Sequence, residues 1–136
     1  MIKDIPVLKV ENLAMAVIPR LETEQDHELF WDAYLLNLKE EAIYSVLVNS
    51  TGYGLLEGEQ RRTTTLRYFW DRIEPMTAVK VEPVQKSVLD LANEYWISFS
   101  FHDYLYDKKY VFVPGSLHAQ HFTEIPLLQR KGVMIR

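Results

Sequence analysis

The stretch Tyr95-Trp96-Ile97-Ser98-Phe99-Ser100-Phe101 alternates without a break. Period-two alternation marks a half-buried β-strand, because successive side chains point to opposite faces. A second run, Tyr104 to Val113, follows after only His102-Asp103. Both of those residue types tolerate the positive φ of a tight hairpin turn. A hairpin loop of two or four residues sets odd positions of the first strand beside even positions of the second, and opposed side chains share a face. Tyr95, Ile97, Phe99 and Phe101 therefore join Tyr104, Tyr106, Tyr110 and Phe112 on one aromatic core face. The other face carries Trp96, Ser98, Ser100, Asp107 and Lys109 and is expected to be wet.

The rest of the chain fits around this hairpin. Val, Ile, Thr, Tyr, Phe and Trp supply 44 of the 136 residues and Ala only 7, which favours pleated strands over long helices. Leu8 to Pro19 is apolar, and Thr23 to Glu28 reads as an acidic loop. Phe30 to Leu38 and Ala42 to Ser50 are apolar runs joined by Lys39-Glu40-Glu41, which predicts a second hairpin. Thr63 to Trp70 alternates, and Val79 and Val81 sit in a short strand that ends at Pro83. Val84, Val88 and Leu91 fall on one helical face, which predicts one or two helical turns at a corner over Gln85 to Ala92. About seven strands in order, with no crossover helix, predict an immunoglobulin-like antiparallel β-sandwich, with residues 1–136 as a single domain.

Composition excludes several chemistries. The chain has no cysteine, so it has no disulfide scaffold, zinc-thiolate site, iron–sulfur cluster or cysteine nucleophile. No apolar run nears the ~18 residues of a membrane span. The opening Met1-Ile2-Lys3-Asp4-Ile5-Pro6 lacks the basic-then-apolar layout of a secretory signal, so a cytoplasmic location is expected. Net charge is −4, which weighs against a nucleic-acid partner.

Two resemblances bear on these expectations. Asp90-Leu91-Ala92-Asn93-Glu94-Tyr95 resembles the corner of immunoglobulin-like domains, where a strand-opening tyrosine ties down the corner with its hydroxyl. Here the tyrosine lies one residue further on, and the Cys…Trp…Cys signature of antibody domains is missing. The segments Leu47 to Gly54, Asn93 to Phe99 and Tyr106 to Val113 resemble a family of short bacterial proteins. Some of these carry a phenylalanyl-tRNA synthetase label. No synthetase catalytic motif is present, and the resemblance implies no site residues.

Candidate functional residues fall into three sets. Trp96 with Lys109 on the wet face, and Tyr53 between two glycines, suit an interaction surface, since partly exposed aromatics give large contact area at low entropic cost. Arg61, Arg62 and Arg67 lie near Tyr68, Phe69 and Trp70, a pattern that suits base stacking with phosphate contact. His118, His121 and Glu124 recur at i, i+3 and i+6 after Ser116, a good N-cap, so a helical turn would set the imidazoles on one face for a divalent metal. The leading expectation is a non-enzymatic interaction or accessory domain without a cofactor, partnered by another protein or a second copy. An RNA-associated accessory domain comes next, and a small metal-assisted hydrolase last. The segment Gly132 to Ile135 could add a strand either to the domain's own sheet, beside its first strand, or to a partner's edge, and the first of these is favoured.

Overall fold

The computed structural model describes residues 8–136. The opening hexapeptide weighed above for a secretory layout lies outside them. Among the described residues, ten strands form two antiparallel sheets. They are β1 (Leu13–Pro19), β2 (Phe30–Asn37), β3 (Ile43–Leu56), β4 (Glu59–Arg62), β5 (Leu66–Ile73), β6 (Thr77–Gln85), β7 (Ala92–Phe101), β8 (Tyr104–Phe112), β9 (Thr123–Ile125) and β10 (Arg130–Ile135). The first sheet has the order β6-β2-β1-β10-β9. In the second, the order is β4-β3-β7-β8, with β5 pairing the other half of the long β3 beyond β4. Single 3-10 turns at Lys86–Val88 and Ala119–His121 are the helical elements among the described residues.

The two sheets share one core. Leu13, Met15, Val17, Ala33 and Leu35 from the first sheet meet Ile43, Val46, Val48, Tyr95, Ile97, Phe99, Tyr110 and Phe112 from the second. This is a β-sandwich, as the strand pattern predicts. The β7–β8 hairpin has the expected register, with Phe99 opposite Tyr106 and Tyr95 opposite Tyr110. His102 and Asp103 both take positive φ, 49° and 65°, the requirement of a primed two-residue turn. The aromatic face loses cover toward that turn: Phe101 is half-buried and Tyr104 exposed, so Tyr104 is not a core residue.

Four expectations are corrected. The runs at 30–38 and 42–50 do not form a hairpin, because β2 and β3 belong to different sheets. Their apolar faces meet across the core instead of pairing edge to edge. The crossover is pinned by the fully buried Asn37, whose amide donates to the carbonyls of Glu41, Ile73 and Glu74. The strand carrying Val79 and Val81 continues past Pro83 to Gln85. Proline is tolerated there because β6 is an edge strand and needs no outward N–H donor. The corner before β7 is not a tyrosine corner. Asn93 holds it, donating to the carbonyls of Val88 and Leu91, while the Tyr95 hydroxyl crosses to Glu82 of the other sheet. Ser116 caps no helix: its hydroxyl donates back to the Val113 carbonyl, and the 3-10 turn starts after His118.

The C-terminal segment closes the domain's own sheet, with Val133 opposite Val17 and Ile135 opposite Met15. Gly132 is required there. A Cβ at this position would lie 2.7 Å from the Val17 carbonyl oxygen and 2.8 Å from the Ile18 side chain.

Candidate functional site

The outer face of the second sheet is built by register. Asn49 of β3 stands opposite both Arg67 of β5 and Trp96 of β7, and Trp96 stands opposite Lys109 of β8. The result is a row, Arg67–Asn49–Trp96–Lys109, across the sheet. In the next row Phe69 and Ser98 flank Leu47, and Asp107 follows Ser98. Trp96 is 44% exposed and Phe69 is 60% exposed. Neighbours on the same strands that point inward, such as Val48 and Ile97, are fully buried. Alternation thus sends one set of apolar side chains into the core and leaves two large aromatics in water.

Electrostatics on this face are mixed. The Lys109 ammonium lies 5.5 Å from the Trp96 ring centroid and 3.8 Å from Glu94 Oε1. A cation over an indole at an exposed site contributes about 0.5–1 kcal/mol. Tyr53 joins from the far end of β3: its hydroxyl donates to Glu94 Oε1 at 3.3 Å. Burial, followed by the Glu94 charge and hydrogen bond, pushes that hydroxyl's pKa up. Glu94 therefore links Tyr53 to Lys109, and the three residues singled out for an interaction surface fall on one face. Asn49 Oδ1, at the centre of the row, is buried and has no hydrogen-bond partner among the described residues.

The arginine set is divided. Arg67 belongs to the row just described, and Arg62 lies opposite Tyr53. Arg61 is paired to Glu59 at 3.2 Å. The histidine set does not converge. His118 Nε2 lies 3.5 Å from Asp90 Oδ1, His121 follows in the 3-10 turn beside Gln120, and Glu124 is on β9. Among the described residues no three His, Cys, Asp or Glu side chains are grouped to hold a metal ion.

A second site was not legible in the sequence. At the edge of the sandwich a cavity of about 330 Å³ opens between β6, β3 and the Thr63–Leu66 segment. Glu82 is in its wall and is only 9% exposed. Its Oε2 accepts from Ser50 Oγ at 2.7 Å and from the Tyr95 hydroxyl at 2.9 Å, and its Oε1 accepts from the Tyr68 hydroxyl at 2.8 Å. These bonds join β6 of the first sheet to β3, β5 and β7 of the second. A break in register causes the inward aim. Ala33 pairs with Glu82 but Tyr34 with Lys80, so Val81 is an extra residue and both Val81 and Glu82 are buried. Simple alternation from Val79 and Val81 sends Glu82 to solvent, which is why its role was missed. Burial, together with the Glu82 carboxylate, raises the Tyr68 hydroxyl's pKa to about 12 and that of Tyr95 well above its ordinary value.

Compared with known proteins, the chain matches no family model, no curated relative and no solved structure.

Proposed function

We propose that the domain is a non-enzymatic interaction module that binds a protein partner through the outer face of its second sheet. The observation that carries this is the cross-strand row Arg67–Asn49–Trp96–Lys109, with Phe69 exposed beside it. Binding energy at protein interfaces concentrates in Trp, Tyr and Arg set within less costly surroundings. This face has two exposed aromatics, a half-buried Tyr53 and Arg67 on a rigid sheet, so little entropy is lost on ordering it.

The strand order supports an immunoglobulin-like architecture. In β1-β2-β6 against β5-β3-β7-β8, the strands take the places of A-B-E and C′-C-F-G in such sandwiches, with β9 and β10 added beside β1. The fold alone does not carry the function. An RNA-associated role, suggested by the arginines and the synthetase-labelled family, is the weaker reading. Arg61, Lys109 and Arg72 are paired with Glu59, Glu94 and Glu74, and the net charge of −4 sets Arg62 and Arg67 on an overall acidic chain that attracts phosphates weakly. A metal-assisted hydrolase has still less support, since His118, His121 and Glu124 do not converge. A cytoplasmic location remains part of this proposal. Among the described residues no helix is long and apolar enough to cross a membrane.

The test is chemical crosslinking and light scattering on the wild type and on Trp96→Ala. An adduct with another protein that the wild type forms and the variant loses supports the proposal. An adduct between two copies, lost in the same way, identifies the partner as a second molecule of this chain. Identical behaviour of the two proteins removes Trp96 from the interaction surface.

A further inference from the structure

The Glu82 cavity is independent of the outer sheet face. Charges buried in proteins are ordinarily paired with an opposite charge, because hydrogen bonds alone offset only part of the desolvation cost. Glu82 is nine-tenths buried, and among the described residues no Lys, Arg or His side chain forms an ion pair with it. Lys80, two residues away, turns instead to Asp32 at 3.5 Å. Its carboxylate is held by three hydroxyl donors, which fixes its position but supplies no positive charge.

The hydrogen-bond inventory then specifies what is missing. An ionised carboxylate has about four acceptor positions, and three are used here. Ser50 Oγ gives its proton to Glu82 and keeps only acceptor capacity. Asn93, which also lines the cavity, gives both amide protons to the carbonyls of Val88 and Leu91, so its Oδ1 too is left as an acceptor. Thr63 Oγ1 accepts from the Gly52 N–H and donates to the Thr64 carbonyl. Around Glu82 the wall thus offers acceptors, one of them a carboxylate, and the Thr64 hydroxyl and the Gln85 side chain complete its polar part. The apolar part is formed by Phe30, Leu66, Pro83, Val84 and Val88. A group with several donors, a positive charge and an apolar stem matches both parts. A primary ammonium has three N–H donors and no acceptor.

We propose that this cavity binds a primary alkylammonium group, with the ammonium on Glu82 and the alkyl stem against Phe30, Leu66 and Val84. Two sources share that chemistry, a lysine side chain of a protein and a free aliphatic amine. The cavity size of about 330 Å³ suits a single short chain rather than a large ligand.

The experiment is a titration of the full chain, followed by amide resonances, with n-butylammonium chloride and, as a neutral match, n-butanol. Saturable shifts at Gly52, Thr63 and Glu82 are expected with the ammonium and not with the alcohol. Glu82→Gln should weaken binding by roughly tenfold or more, the change that accompanies loss of a charge-assisted hydrogen bond. Since that variant also disturbs the inter-sheet network, Thr64→Lys provides a second arm. Thr64 is exposed at the cavity rim, so the variant should fold normally while its own ammonium competes for the site and abolishes the shifts. Nα-acetyl-lysine methylamide binding more tightly than butylammonium assigns the site to a protein lysine, and the reverse order assigns it to a free amine. Equal shifts with the amine and the alcohol overturn the proposal. So does undiminished ammonium binding to folded Glu82→Gln or Thr64→Lys.

Discussion

The two faces of the second sheet use the same kinds of residue to opposite ends. Inward, Tyr95, Ile97, Phe99, Tyr110 and Phe112 are fully buried against the first sheet. Outward, Phe69 and Trp96 stand in water among Arg67, Glu94, Asp107 and Lys109. Nothing in the strand geometry distinguishes the faces. The difference is whether a second sheet lies over them. Aromatics on the covered face contribute to stability through burial and close packing. On the open face they contribute little to stability and offer contact area to a partner.

The largest expected effect lies on the covered face. Phe99→Ala should destabilise the domain by about 3–5 kcal/mol, the usual cost of truncating a buried phenylalanine. Denaturant melts measure this directly, and a loss below about 1 kcal/mol would mean that the inner face is not the packed one. Next is the close approach of β10 to β1. Gly132→Ala should cost about 1–3 kcal/mol, because the added methyl meets the Val17 carbonyl and the Ile18 side chain. An unchanged melting temperature would show that β10 is more loosely docked than its register implies.

A pH dependence separates the charged rim of the core from its dry centre. Burial, together with its bond to Glu82, raises the pKa of Tyr68 to about 12, above the ordinary 10.0. A raised folded-state pKa means that the neutral form is the one stabilised by folding. The contribution is full below pH 10 and is lost as pH rises through about 12. Stability should therefore fall across that interval, and Tyr68→Phe should flatten the fall. An equally steep loss in the variant would assign the alkaline transition to other groups. Smaller still, Trp96→Ala should change stability by less than about 1 kcal/mol, since it removes one exposed cation–aromatic contact. His121→Ala should stay within about 0.5 kcal/mol, as surface changes usually do.

The same contrast explains what was legible in the sequence. The β7–β8 hairpin could be read residue by residue, because uninterrupted alternation and a two-residue turn fix its register. That register sets Trp96 beside Lys109. The crossover from β2 to β3 could not be read, because Lys39-Glu40-Glu41 suits a hairpin as well as a passage between sheets. What decides it is the distant anchoring of Asn37 by the carbonyls of Ile73 and Glu74. Glu82 was hidden for a related reason. A single extra residue, Val81, inverts the alternation of β6, and a bulge leaves no mark on local composition. Phe69 was seen only as a neighbour of the arginines; its place beside Trp96 depends on both flanking β3, a contact between segments far apart in sequence.

The most direct test of the central claim is hydroxyl-radical footprinting of the chain alone and in native lysate. Side chains on the open face should be oxidised in the isolated domain and protected in the lysate, at Trp96 and Phe69 together. Leu21 and Leu29, exposed to a similar degree and outside the proposed surface, should be oxidised equally in both. Equal oxidation of Trp96 and Phe69 in the two conditions would contradict the account, as would protection confined to Leu21 or Leu29.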